Sequence, residues 1–191
     1  MHIRFKVALL GGMVSALSAC GSTDSPTRGN DPAAFVPLCQ GGKLACNADS
    51  EKNAPNLLGA YTGTGQTVGT TNSLWAVGDM NTFDAVIIQQ AGDTIDGTFD
   101  MGSLHLEIES GQIRGTAQSF TIFGTDTVAQ EGCNTEVMAV IVGTRQAGGA
   151  LTGKLALEFT KNISGSGCTA DQLSGYPSTG AVFTYTAAAN Q

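Results

Sequence analysis

Across 191 residues the chain carries 9 Lys and Arg against 16 Asp and Glu, a net charge of −7. An acidic body repels phosphate backbones and anionic headgroups alike, which argues against nucleic-acid binding and against purely electrostatic adhesion to a membrane. Only 13% of residues are charged while 26 are Gly, a balance that suits an all-β exported domain with many tight turns.

The chain opens MHIRFKVALLGGMVSALSACGS, with Arg4 and Lys6 ahead of an apolar run over residues 7–19. That run is too short for a spanning helix of roughly 20 residues and reads as an export signal. Its end, Leu17-Ser18-Ala19-Cys20, resembles the lipobox of bacterial lipoproteins. The resemblance implies removal of residues 1–19, a lipidated Cys20 (palmitate or a similar acyl chain) and attachment to the membrane through that lipid. One acyl chain holds a protein marginally, whereas several approach permanent attachment. Gly21, and not Asp, follows the Cys, which in that family implies the outer membrane of the cell envelope.

Residues 20–37 then read as the lipidated Cys and a flexible tether, GSTDSPTRGNDPAAFVP, polar and without periodicity. Its root-mean-square reach is roughly 20–25 Å. Residues 38–55 form a small Cys loop and lead-in around CQGGKLAC.

From residue 56 to residue 187 the pattern is strand-like. The expected strands are 57–69, 82–90, 94–101, 104–108, 112–123, 136–144, 151–159 and 181–186. The clearest pair is TIDGTFDM and LHLEI, where Ile95, Phe99 and Met101 share a face with Leu104, Leu106 and Ile108. Alternation with period two marks antiparallel strands with one face on a core and one in water. Residues 136–144 are apolar on both sides, so their facing is open. Residues 70–81, 124–135 and 161–179 read as long loops. A Gly two places after an apolar residue recurs at Gly59, Gly97, Gly115 and Gly153, as if crowded strands of a tight barrel required it.

Eight strands with mostly short sequential turns predict an all-β, antiparallel up-and-down β-barrel. A β-sandwich is the alternative and would need long crossovers. The layout resembles the lipocalin and avidin barrels, with Gly59-Ala60-Tyr61 standing where lipocalins carry Gly-x-Trp. Tyr replaces Trp here, and the single Trp75 cannot build the aromatic walls of an avidin site. The lipobox, tether and Gly-rich barrel together also resemble small uncharacterised lipoproteins of the myxobacterial type, a likeness that carries no activity with it.

The other four cysteines, Cys39, Cys46, Cys133 and Cys168, read as two disulfides in an oxidising compartment. Three connectivities are open, and Cys39–Cys46 with Cys133–Cys168 is the favoured one. No CxxC spacing occurs, so no metal is expected among them. His105, Glu107 and Glu109 share the outward face of one strand, spaced about 7 Å apart along it, too spread to hold an ion. Asp93, Asp96 and Asp100 lack the pattern of a calcium loop. No GxSxG elbow is present, and no catalytic residue or cofactor is assigned. Trp75 either caps the barrel mouth over a small apolar ligand, with Tyr61 and Phe99 as further candidate contacts, or plugs the barrel together with Leu74 and Val77. These choices give two readings: a non-enzymatic, lipid-anchored barrel that binds a small apolar ligand, or a filled barrel that serves as a structural or protein-interaction module.

Overall fold

Tight turns with glycines in the left-handed region convert the alternating segments of this chain into successive hairpins. Gly92 and Gly102 both sit at φ 62°, a conformation that L side chains avoid and that matches the twist of paired strands. The computed structural model describes residues 30–31, 39–40, 43–44, 54–72, 74–130, 132–168 and 179–190. Cys20, most of the tether and Cys46 therefore lie outside the described residues.

The described strands are β1 (Cys39–Gln40), β2 (Lys43–Leu44), β3 (Gly59–Thr70), β4 (Met80–Ala91), β5 (Thr94–Met101), β6 (Leu104–Gly115), β7 (Ser119–Gln130), β8 (Cys133–Arg145), β9 (Leu151–Ser164) and β10 (Thr179–Ala189). The last eight close into one barrel in the order β10-β3-β4-β5-β6-β7-β8-β9. Every neighbouring pair is antiparallel, and closure is made by β10 on β3, from Ala181 opposite Thr70 to Ala189 opposite Tyr61. Chain order and spatial order coincide, which is the up-and-down barrel that the alternation predicts. Closure leaves no free sheet edge between first and last strand. The β1–β2 hairpin stands apart from the barrel ladder, with β2 lying against β6.

Burial follows the alternation. In β5 and β6 the inward residues Ile95, Phe99, Met101, Leu104, Leu106 and Ile108 are buried, and all belong to a single core. The ambiguous strand resolves by facing both ways. Val137, Ala139 and Ile141 of β8 join the interior, while Val140 and Val142 face outward into a second apolar cluster with Phe123, Ala156 and Val182.

Four segments differ from the expectation, the first being residues 109–111, expected as a break and found within the continuous β6. The predicted strand 112–123 contains a reversal over residues 116–118. There the Thr116 N–H donates to the Ser119 carbonyl at 2.8 Å, and the two hydroxyls lie 2.6 Å apart. Hydroxyl side chains that bond their own backbone favour turns, and Ala117, in phase with the buried Ile113, is exposed. Residues 124–130 and 133–135 are ladder and not loop, since β7 and β8 pair from Ser119 opposite Thr144 to Gln130 opposite Cys133. Backbone pairing with the partner strand holds this long hairpin although its outer side chains are polar, so hydropathy alone misses it. Residues 161–164 likewise extend β9.

The recurrent glycines divide. A Cβ on Gly97 would lie 2.6 Å from the Val86 carbonyl, and one on Gly115 or Gly153 would strike the neighbouring strand's backbone. Gly59 does not fit the pattern. It is exposed, meets nothing, and is set by its φ of 132° at the start of β3.

Candidate functional site

The interior of the barrel is the first place where a ligand could sit, and among the described residues it is packed with side chains. Inward side chains from all eight strands join one core, and a cavity of about 10 Å³ within it is lined by apolar groups that include Tyr61, Phe83, Phe99, Ile141 and Tyr185. That volume is about enough for a single water molecule. Tyr61 is buried and its hydroxyl donates to the Leu57 carbonyl at 3.0 Å, so its polar end is spent on the backbone. Tyr185 is fully buried, which pushes its phenol far above the ordinary range. Its hydroxyl donates to the Val142 carbonyl at 3.4 Å.

Trp75 closes one part of this core. It is 9% exposed and meets Phe183 edge-on at a centroid distance of 5.3 Å and Phe159 at 6.0 Å. Leu74 and Val77 do not share that role, being 52% and 66% exposed. The loop bends so that only the ring turns inward. Asn72 accepts the Leu74 N–H at 2.8 Å and Asp79 accepts the Ala76 N–H at 2.8 Å, one on each side of Trp75. These side-chain-to-backbone bonds fix the loop without apolar anchors.

The outward polar line is the second place. The two-residue turn at Gly102-Ser103 sets Asp100 directly opposite His105. The imidazole Nδ1 lies 2.6 Å from Asp100 Oδ1, and Nε2 lies 3.6 Å from Glu107 Oε1. The hydrogen bond with Asp100, aided by both carboxylate charges and opposed by slight desolvation, raises the His105 pKa above its ordinary value. The imidazole stands largely in solvent with carboxylates on either side. Asp100 is the partner that spacing along one strand cannot show, because it comes from the register across the turn.

Beyond this line the outer wall is concave and acidic. Glu107, Glu109, Asp126 and Glu136 line it together with Thr125 and Thr127. The ladder between β6 and β7 runs only from Gln112 opposite Phe123 to Gly115 opposite Phe120. Past its end the Asp126 carboxylate accepts the Glu107 N–H at 2.8 Å and bridges the parted strands. Among the described residues no group of three or more His, Cys, Asp or Glu side chains is placed to hold a metal ion. No helix among them is long and apolar enough to cross a membrane.

Cys133 and Cys168 are bonded to each other and tie the start of β8 to the chain just past β9. This is one of the two favoured pairings, and the Cys39–Cys46 pairing lies outside the described residues. Two further residues carry no sequence signal at all. Lys154 is only 6% exposed on the outer wall, and its ammonium donates to Asn30 Oδ1 at 3.3 Å. Desolvation lowers its pKa.

The fold and its faces define a closed, eight-stranded up-and-down barrel with a packed interior. No known protein family matches the chain, nor does any curated protein or solved structure.

Proposed function

We propose that this protein is a lipid-anchored envelope lipoprotein without enzymatic activity, whose packed barrel serves as a structural or protein-interaction module through its outer wall. The observation that carries the reading is the interior cavity of about 10 Å³. Pockets for small organic ligands are typically of about 300 Å³ or more. Tyr61 and Phe99 therefore serve as packing, and Trp75 as a plug, in this reading. The working surface is the acidic, Thr-containing concavity of Glu107, Glu109, Asp126 and Glu136, which suits a basic protein partner. The lipobox ending at Cys20 supplies the anchor, and Gly21 the outer-membrane address.

Site-specific photocrosslinking from positions 107 and 109 in cells tests the interaction reading. A discrete adduct with one envelope protein is expected, and the absence of any adduct overturns it. Native mass spectrometry of gently purified protein addresses the other sequence reading, since a bound apolar molecule would add a defined mass. Cys20→Ser should block processing or release the protein from membranes, and unchanged membrane fractionation would refute lipidation.

A further inference from the structure

The outer wall of the barrel carries an apolar stripe that solvent does not reach. Register places Gly69 of β3, Val182 of β10, Ala156 of β9, Val140 of β8 and Phe123 of β7 directly opposite one another in a single cross-strand row. The row ends at Gln112 of β6. Val182 is 0%, Ala156 4%, Val140 6% and Phe123 5% exposed, although all four point away from the barrel core. Val142, one pleat away, is buried with them. An outward row this dry must be covered.

Two described pieces of the N-terminal chain lie against the two strands that bound it, β3 and β6. At the β3 end the Asn30 carbonyl lies so close to Gly69 that a Cβ there would collide with it, and Asn30 Oδ1 accepts from Lys154 beside the row. On the other side, β2 lies against β6, the strand that bounds the row there. The stripe between them crosses five inter-strand spacings, or about 24 Å. Nine peptide steps separate Asn30 from Cys39 and span up to about 30 Å. The connecting residues 32–38 read PAAFVPL, the one apolar run between the signal segment and the barrel.

We propose that residues 32–38 form a strap that docks on this stripe, with Phe35, Val36 and Leu38 as its apolar contacts. The proposal rests on chain length, on the position of both flanking anchors and on apolar complementarity, and it is independent of whether Cys20 is lipidated. Two prolines suit the role, because an extended segment lying flat across strands needs no ladder of N–H donors of its own. The free tether then shortens to residues 21–29, with a reach of roughly 15–18 Å. One wall of the barrel is thereby held in a fixed relation to the chain that leads to position 20, leaving the acidic concavity on β6–β8 as the accessible side.

Methyl and aromatic labelling of the full chain tests this directly. Cross-relaxation is expected between the Phe35 ring and the methyls of Val140, Val142 and Val182, and its absence overturns the strap. Chymotrypsin supplies a second measurement. Cleavage after Phe35 or Leu38 should be slow in the native chain and at least tenfold faster in Val140→Lys, which places a charge under the strap while leaving the interior face of β8 untouched. Equal cleavage rates would sink the proposal. So would cross-peaks shown by mixed labelling to be intermolecular, because a second copy of the chain would then be the occupant.

Discussion

Phe83 and Tyr185 lie with their rings stacked, centroids 4.6 Å apart and planes 11° from parallel, although β4 and β10 are separated by β3. Such a contact between non-adjacent strands exists only if side chains meet inside the barrel. The Tyr185 hydroxyl reaches further, to the Val142 carbonyl on β8, where a side chain at Gly143 would stand in its way. The pair and this missing side chain close much of the interior.

Phe83→Ala removes one half of that stack from a site that is 1% exposed. The loss should be about 3–5 kcal/mol, because a rigid closed barrel cannot collapse onto the space left. Chemical denaturation measures it. The same variant should take up xenon or benzene, whereas the parent chain should not. Uptake of equal strength by the parent would contradict the packed interior.

Trp75→Ala should also be costly, about 3–5 kcal/mol, since the ring packs on both Phe159 and Phe183. Leu74→Ser and Val77→Ser, one and two residues away, should each change stability by less than about 0.5 kcal/mol because both side chains are mainly in solvent. A denaturation series over the three variants separates one anchoring ring from a shared apolar plug. Comparable losses at all three would refute the single-ring account.

The pH dependence at His105 has a definite sign. Asp100 raises the folded-state pKa above the unfolded value. The stabilisation from this pair is therefore fully present below the unfolded pKa of about 6.5 and is lost as pH rises through the folded pKa. The imidazole is largely in solvent, so the effect on stability is small and is best read from the residue itself. A proton NMR titration should give a His105 pKa above that of the unfolded chain, falling toward it in Asp100→Asn. An unchanged pKa in the variant would remove Asp100 as the cause.

The Cys133–Cys168 bond spans a sequence separation of 35 residues. On the chain-entropy account, closing a loop of that length contributes about 4 kcal/mol. Cys168→Ser should lower stability by about that amount, with the barrel retained by its ladders. A loss below about 1 kcal/mol would mean that the unfolded chain gains little freedom when the bond is absent.

How much of this was legible in the sequence depends on which interaction carries the information. The alternation in TIDGTFDM and LHLEI names both strands and their inward faces, because burial on one side leaves a period of two. It also yields the eight-strand count and the up-and-down order. The far half of the β7–β8 ladder, residues 124–130 and 133–135, was not legible, since its outer positions such as Thr125, Thr127 and Asn134 are polar and backbone pairing carries them. Val140 and Val142 opposite Val137 and Ile141 correctly signal two apolar faces, but not what covers the outer one. Asp100 beside His105 follows from the turn and its register, whereas Lys154 on Asn30 joins residues too far apart for any local pattern.

Glycine offers the sharpest contrast between a residue that a barrel needs and one that a turn merely tolerates. A Cβ on Gly153 would press into the Val142 carbonyl and the backbone of Gly143 on the adjacent strand, where neither can yield without parting the ladder. Gly148, in the turn between β8 and β9, meets nothing within 4 Å and has no left-handed φ. Gly153→Ala should cost about 1–3 kcal/mol through overpacking. Gly148→Ala should be neutral or stabilising by up to about 1 kcal/mol, because Ala restricts the unfolded chain. Paired denaturation curves decide between them. Equal effects would mean that β8 and β9 can separate at this point, and that the close approach of their backbones is not what holds Gly at position 153.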